Sequence, residues 1–177
     1  MKEGVYYRRE DYAGFWRRAM VDVVDFIIMA VMVTVSTAAI APFFPDWFAE
    51  VLMGVAGLVW FGYLVVLKGS RFRTPGYRLG RVALVGFDGC PAGWGKLFLR
   101  ACFVGLGPIN FLLDLVWVFS DWHRQALRDK VAQTYLIRNG ALPIGKGRIV
   151  YRSWDVWGYN LLVREVVVEE AARAQTC

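Results

Sequence analysis

The sequence predicts an all-α membrane bundle with two full spans and a bent or re-entrant third apolar hairpin, to which small cytoplasmic β-rich elements are attached. The 177 residues are 57% hydrophobic and only 20% charged, and their mean hydropathy is +0.39. This is too apolar for an ordinary soluble domain. Residues 19–67 contain no Lys or Arg, although basic residues lie on both sides of them. A third apolar run, 97–119, is interrupted by Gly-Leu-Gly-Pro.

Residues 1–18 are polar and aromatic and predict a cytoplasmic juxtamembrane segment. They contain neither the apolar core nor the cleavage site of a signal peptide, so the first span is expected to act as its own targeting signal. Basic residues concentrate on the cytoplasmic flanks of spans. The charge gap therefore predicts a helical hairpin that leaves the cytoplasm and returns. We expect a multi-pass protein of the cytoplasmic membrane with its N-terminus inside.

The membrane domain is expected over residues 19–120. Its first span, 19–41, has about the 20 residues needed to cross the hydrocarbon core. Pro42 and Pro45 end this span because proline cannot continue the hydrogen-bond ladder of a helix. The second span is expected over 47–67, after a short outer loop.

The loop over residues 68–95 predicts a β-hairpin at the inner face of the membrane. Thr74-Pro75-Gly76 is typical of a turn, and residues 81–87 favour a short strand. Asp88-Gly89 then predicts a tight turn.

The apolar run 97–119 has two interpretations. A single kinked span would put the C-terminus outside, but basic residues follow the run closely, which favours a cytoplasmic end. Two half-length helices, 96–106 and 109–120, would instead dip into the membrane and return. Irregular backbone at that depth has to be packed inside protein or line a polar cavity. We favour the second interpretation.

The remaining segment, 121–177, is predicted to be cytoplasmic. Its pattern predicts a short basic amphipathic helix, three strands and a frayed end, at 123–131, 134–138, 148–152, 162–168 and 169–175 respectively.

Ionisable residues lie at the start of the first predicted span, within it and within the third apolar run. Arg18, Asp22 and Asp25 have a spacing that places them on one helix face, and Arg100 and Asp114 lie in the third apolar run. A charge in lipid costs at least about 2.5–3.5 kcal/mol, so these side chains should face protein or water. In one interpretation the three acids and Arg100 bind an ion or a small polar ligand. In the other, Arg100 forms a structural salt bridge with Asp25 or Asp114, and Asp22 is solvated or pairs with Arg18.

Other function classes find little support. Cys90, Cys102 and Cys177 have no metal-ligand or CxxC spacing, so we predict neither a disulfide framework nor a metal site. His123 is expected as an interfacial polar residue. No nucleophile grouping is present, and no basic and aromatic stripe favours nucleic acid. We therefore expect no enzyme, no catalytic residues, no cofactor and no nucleic-acid partner. The net charge of +6 favours anionic lipid headgroups.

Three motifs succeed one another between residues 11 and 138: YAGFWRRAMVDVVDFII, RTPGYRLGRVALVGFDG and RQALRDKVAQT. In content and order they resemble the RDD family of membrane proteins, named for an arginine and two aspartates. The resemblance maps the arginine and the first aspartate onto Arg18 and Asp25. It maps the arginine that comes after the TPG linker onto Arg100, and the second aspartate onto Asp129. Where the family commonly has His, this chain has Arg128.

The resemblance implies a membrane protein for which transport is suggested, and two functions remain open. A transporter would use Asp25, and three spans are few for a pathway, so it would require a homo-oligomer. Alternatively, the chain is a non-catalytic scaffold or an accessory subunit of a membrane complex. The expected partners are the lipid bilayer and either a second copy or a membrane-complex partner.

Asp129 is expected to tether the segment after the membrane to the first helix, by pairing with Arg18 or Arg17. The alternative is a solvated carboxylate on a helix surface, beside Arg128 and Lys130.

Overall fold

The structure, a computed structural model, describes residues 3–119, 121–156 and 159–167. Helices and strands are both present in this part of the chain, so the fold is mixed and not purely α-helical. The helices are α1 (Phe15–Ile40), α2 (Phe48–Phe61), α3 (Pro75–Leu79), α4 (Trp94–Gly105), α5 (Pro108–Trp117) and α6 (Leu127–Ala132). The strands are β1 (Glu3–Tyr6), β2 (Val82–Gly86), β3 (Thr134–Arg138), β4 (Gly145–Val156) and β5 (Tyr159–Val167).

Helices α1 and α2 form the two apolar stretches expected from the charge gap. With the turns beside them they make the stretches Phe15–Phe43 and Pro45–Leu67, which are long and apolar enough to cross a membrane. Only 17% and 22% of the residues in their most apolar windows are buried, unlike the core helix of a soluble protein. Two short 3-10 turns separate the helices, each with a proline near its start. Beyond α2, residues Gly62–Leu67 form a π-helical turn.

Helix α4 starts near the end of the second apolar stretch and runs back along it. At its start, Leu97 and Trp94 lie against Gly69, where an added Cβ would be 2.8 Å and 3.9 Å from them. At its end, a Cβ on Gly105 would lie 3.6 Å from the indole of Trp60. Trp60 precedes Gly69 by nine residues, so α4 runs beside the helix for about 13 Å.

Helix α5 then returns along α1. The turn between the two helices is made by Gly107, whose φ of +115° is open to glycine but strained for other residues. The Phe111 and Phe26 rings are 5.2 Å apart, and the Phe119 and Phe15 rings are 4.6 Å apart. Gly69 follows the second apolar stretch, and Phe15 begins α1. The α4–α5 hairpin therefore starts beside the end of the second apolar stretch and returns to the beginning of α1. This is the arrangement of two half-length helices.

The β-hairpin expected within residues 68–95 is corrected by the structure. Strand β2 lies inside the predicted strand, but its partner is β3, with Val82 opposite Arg138 and Gly86 opposite Thr134. The segment after the Asp88-Gly89 turn forms only one bridge, between Val85 and Pro91. Proline lacks the N–H that would continue the ladder. The Thr74-Pro75-Gly76 motif begins the short helix α3.

Strands β1, β4 and β5 form an antiparallel sheet in the order β1-β4-β5. Part of the expected N-terminal juxtamembrane segment is therefore a strand, which pairs with β4 between Glu3–Arg148 and Tyr6–Gly145. Strand β3 has the predicted bounds, whereas β4 is longer than predicted and β5 begins earlier. Helix α6 begins later than predicted, at Leu127. The predicted frayed end at 169–175 lies outside the described residues.

A cluster of buried aromatic residues joins the β2–β3 pair to the three-stranded sheet. In it the Tyr7 N–H donates a hydrogen bond of 3.0 Å to the Tyr12 hydroxyl. The Tyr135 hydroxyl is buried and has no hydrogen-bond partner in the described part of the chain. Burial raises the pKa of both the Tyr12 and the Tyr135 phenols above 10. The unfolded chain would release these protons first, so stability should fall as the pH rises above about 10.

Tyr12→Phe should lower the free energy of unfolding by about 1–3 kcal/mol, because it leaves the buried Tyr7 N–H without its acceptor. Tyr135→Phe removes the same group from the same cluster but breaks no described hydrogen bond, so it should cost less than about 1 kcal/mol. Denaturant unfolding in detergent, monitored by circular dichroism, measures both changes. Equal losses in the two variants would contradict the assignment of the hydrogen bond.

Candidate functional site

Ionisable side chains from α1, α4, α5, α6 and the loops around them meet in one region near the start of α1. We call this set the charge network. Each member forms an ion pair with another member, and all but Lys68 are buried. The members are Arg18, Asp22, Asp25, Lys68, Arg100, Asp114, Asp121, Arg128, Asp129, Lys130 and Glu165.

Asp129 lies at the centre of the network and is 0% exposed. Its Oδ2 is 2.5 Å from Arg18 Nη1, and its Oδ1 pairs with the guanidinium of Arg100. The carboxylate also accepts the Ala126 N–H at 3.2 Å, at the start of α6. Asp129 thus pairs with Arg18, as the sequence suggested, and is not a solvated surface residue. Arg17 instead donates to the Gly80 carbonyl at 3.3 Å.

Arg100 forms its ion pair with Asp129, and not with Asp25 or Asp114 as the structural interpretation expected. Its Nη1 also donates to Thr134 Oγ1 at 2.9 Å. No ion pair in the described part of the chain joins Arg100 to Asp25 or Asp114, which pair with Lys68 and Arg128 respectively. No local sequence pattern indicated this pairing, since α6 was expected outside the membrane helices.

Arg128 joins α1 to α5. Its Nη2 is 2.5 Å from Asp22 Oδ2, its Nε is 3.0 Å from Asp114 Oδ2, and its backbone N–H donates to Asp114 Oδ1 at 2.6 Å. Burial lowers the pKa of Arg128, but the two carboxylates outweigh that effect and raise the pKa above its ordinary value. Asp22 is therefore neither solvated nor paired with Arg18.

Asp25 lies apart from these arginines and is surrounded by four donors. Its Oδ1 accepts from the Tyr63 hydroxyl at 2.9 Å and from the Gly76 N–H at 3.0 Å. Its Oδ2 accepts from Thr74 Oγ1 at 2.9 Å, and Lys68 Nζ is 3.3 Å away. Asp25 thus pairs with a lysine, and its three other contacts come from neutral groups.

The Thr74-Pro75-Gly76 motif is shaped to this carboxylate. Thr74 is the residue before α3, and its hydroxyl accepts the Tyr77 N–H while donating to Asp25. An added Cβ on Gly76 would lie 2.5 Å from both Asp25 Oδ1 and the Val21 carbonyl. Only glycine fits this close approach.

Lys68 connects the network to open space. It lines a cavity of about 440 Å³, together with Arg71, Arg73, Tyr77 and Leu97. It also lines a narrow crevice of about 20 Å³, where Arg100 and Arg128 are the other charged residues. The crevice has room for about one water molecule. The Lys68 side chain is 10% exposed, while that of Asp25 is 2% exposed.

The network continues into the C-terminal segment through Lys130. Its Nζ is 2.5 Å from Asp121 Oδ1 and 3.4 Å from Glu165 Oε1, and Glu165 also pairs with the exposed Arg152 at 3.3 Å. Sequence reasoning assigned no site role to Lys68, Asp121, Arg128, Lys130 or Glu165. Lys68 could have been identified from the sequence, because it is the first basic residue after the stretch 19–67 that contains no Lys or Arg. Arg128 and Lys130 are brought in by α6, Glu165 by β5 and Asp121 by the segment before α6, and local patterns do not position these segments.

No group of three or more His, Cys, Asp or Glu side chains is placed to hold a metal ion within residues 3–119, 121–156 and 159–167. His123 lies in the aromatic cluster, with its ring 5.5 Å from Tyr12 and 5.8 Å from Tyr135.

Comparison with known families finds a match to the RDD family over residues 12–133. The matched range contains every member of the charge network except Glu165. Neither the curated proteins nor the solved structures provide a match to the chain.

Asp129→Asn should lower the free energy of unfolding by about 3–5 kcal/mol, because it leaves two buried guanidinium groups without their carboxylate. Glu10→Gln makes the same chemical change in the exposed Arg8–Glu10 pair, whose charges are 3.8 Å apart, and should cost less than about 1 kcal/mol. Unfolding in detergent measures the loss of stability in both variants.

A double-mutant cycle of Arg18→Ala and Asp129→Ala should give non-additive losses of stability. Additive losses would show that the two side chains do not interact.

Proposed function

The chain belongs to the RDD family, and we propose that it exchanges a small cation against protons at the carboxylate of Asp25, as a multi-pass protein of the cytoplasmic membrane. The substrate would be an inorganic monovalent cation. The residues proposed to carry the exchange are Asp25 and Lys68.

In the proposed topology both termini are cytoplasmic. Helix α1 leads out, α2 returns, and the α4–α5 hairpin enters from the inner side. The absence of basic residues over 19–67 supports this orientation. The hairpin runs beside the end of the second apolar stretch for about 13 Å and beside α1 for about 16 Å, which is about half of a hydrocarbon core of about 30 Å.

The Asp25–Lys68 pair is the observation that carries the proposal. Asp22 and Asp114 share Arg128, and an arginine stays charged in proteins. A lysine carries its charge on a flexible chain and can release its proton when its surroundings disfavour the charge. Lys68 also lines the cavity of about 440 Å³ beside the pair. Asp25 is therefore the intramembrane carboxylate whose charged partner is easiest to displace.

Charge balance then defines the exchange. A cation that reaches the pair would take the Asp25 oxygen that Lys68 faces, and charge balance would require one proton to leave the site as the cation enters. A returning proton would restore the ion pair and expel the cation. The Tyr63, Thr74 and Gly76 donors would hold the carboxylate in place throughout.

We further propose that the exchanger is a homo-oligomer. Most side chains of the two apolar stretches are not buried within one copy, which supports contact with lipid or with a second copy. Two spans and a half-depth hairpin leave too few helices to enclose a pathway within one copy.

The alternative function is a non-catalytic scaffold or accessory subunit. It is favoured by the closed pairing of Arg18, Arg100 and Arg128 with three aspartates, which leaves these arginines no charge to offer a ligand. In this alternative the network holds the helices together, and the β1-β4-β5 sheet binds a partner.

Asp25→Asn should reduce cation-proton exchange in proteoliposomes to the level of empty vesicles, because the amide cannot balance the charge of the cation. The assay monitors an internal pH-sensitive dye after a pulse of NaCl or KCl. Asp46→Asn makes the same change in the loop between the spans and should keep the wild-type rate. Lys68→Arg should also slow exchange, since its guanidinium retains its proton.

Size-exclusion chromatography of Asp25→Asn separates the two functions. An unchanged elution volume with lost exchange supports the exchanger. Wild-type vesicles that show no exchange with either salt would contradict it and leave the scaffold.

The topology is tested with Cys177 as the single remaining cysteine, after Cys90→Ser and Cys102→Ser. A membrane-impermeant maleimide should label it in inverted membrane vesicles and not in intact cells. Labelling in intact cells would contradict a cytoplasmic C-terminus and, with it, the re-entrant hairpin.

A further inference from the structure

The segment that comes after the second apolar stretch contains an arginine-lined cavity, which shares Arg71, Arg73 and Tyr77 with the larger cavity beside Lys68. This cavity of about 340 Å³ is lined by Arg71, Arg73, Arg78 and Arg81, with Phe72, Tyr77 and Asn139. No acidic residue lines it. Four positive charges thus face one small space.

These four arginines differ from those of the charge network. None of them forms an ion pair with a carboxylate of the described residues. Charges of one sign held this close repel one another, and an anion in their midst removes the repulsion. The cavity therefore has the electrostatics of an anion site.

Two of the arginines have a backbone conformation that is uncommon for side chains with a Cβ. Arg73 and Arg81 have φ angles of +53° and +49°. The Asn139 N–H fixes one of these turns by donating to the Arg81 carbonyl at 2.8 Å, while Arg73 Nη1 donates to Asn139 Oδ1 at 2.9 Å. Hydrogen bonds with Asn139 thus stabilise the backbone turn at Arg81 and orient the side chain of Arg73.

The cavity lies beside the first turns of α1. An added Cβ on Gly80 would overlap the Val21 side chain, so the end of α3 packs directly against that part of the helix. Phe72 and Leu79, on the same segment, are 68% and 63% exposed. Exposed apolar side chains beside a basic cavity match a ligand that has both an anionic head and an apolar tail.

We propose that this cavity binds the phosphate-bearing headgroup of an anionic phospholipid of the inner leaflet, with the acyl chains against Phe72 and Leu79. Guanidinium groups bind phosphate oxygens in pairs of parallel hydrogen bonds, which suits a cluster of arginines. The same chemistry would accept a soluble phosphate ester, which lacks the apolar tail. The lipid proposal does not rest on the proposed exchange and requires only that this segment lies at a membrane surface.

Binding is measured by titration calorimetry on the full chain in neutral detergent, at about 0.15 M salt. The three probes are dihexanoyl phosphatidylglycerol, dihexanoyl phosphatidylcholine and glycerol 1-phosphate. The first should bind at least about ten-fold more tightly than the other two, because only it combines a net negative headgroup with acyl chains.

The variant R71Q/R78Q should weaken binding of the phosphatidylglycerol at least about ten-fold, since it removes two of the four guanidiniums. Its matched control is R8Q/K146Q, which removes two positive charges from exposed pairs elsewhere and should change the affinity less than about two-fold. R71Q alone changes one exposed turn residue and should shift the affinity in the same direction. The single variant replaces the double variant in this test if the double variant does not fold.

The other outcomes overturn the proposal. Equal weakening in the two double variants would mean diffuse attraction to net charge. Equal affinity for phosphatidylcholine would mean that the headgroup charge is not recognised. Glycerol 1-phosphate binding as tightly as the lipid would make a soluble ester the ligand, and absence of binding by all three probes would leave the cavity without a ligand of this class.

Discussion

The carboxylate of Asp129 between Arg18 and Arg100 is the interaction on which the rest of the structure depends. Both arginines are buried, on helices whose sequences are largely apolar. A guanidinium cannot lose its charge there, so each needs an acid within reach. One aspartate on a short helix serves both. Helix α6 is thereby drawn against α1 and α4, although its own sequence suggests an exposed basic helix.

The position of α6 determines where the later part of the chain lies. Strand β3 begins two residues after α6 and pairs with β2, which fixes the loop beyond the second apolar stretch. Lys130, on the same helix, reaches Glu165 in β5 and so joins the three-stranded sheet to the network. The segment after residue 120 is consequently packed onto the apolar helices through charged contacts.

The sequence was most informative where structure depends on neighbours in the chain. Hydrophobic runs, the prolines after residue 41 and the Gly-Pro break located the apolar helices to within a few residues, and strand β3 was located with its observed bounds. Pairing between distant segments was harder. Local sequence periodicity does not indicate which distant segments meet in space. The strand partner of β2, the ion-pair partner of Arg100 and the roles of Lys68 and Arg128 all depend on such contacts. The resemblance pointed to Asp129, which was expected to pair with Arg18 or Arg17, because a family motif carries such long-range information.

The π-helical turn at Gly62–Leu67 affects how Asp25 is held. Tyr63 and Lys68 are five residues apart, and in a regular α-helix they would point about 140° away from each other. The wider i to i+5 bonding of the π turn brings both side chains onto the face that meets Asp25. If this turn tightened to an ordinary α-helical one, Lys68 would rotate off the carboxylate while Tyr63 stayed. A local change of helix winding could thus alter the electrostatic partner of Asp25 without moving either apolar helix as a body.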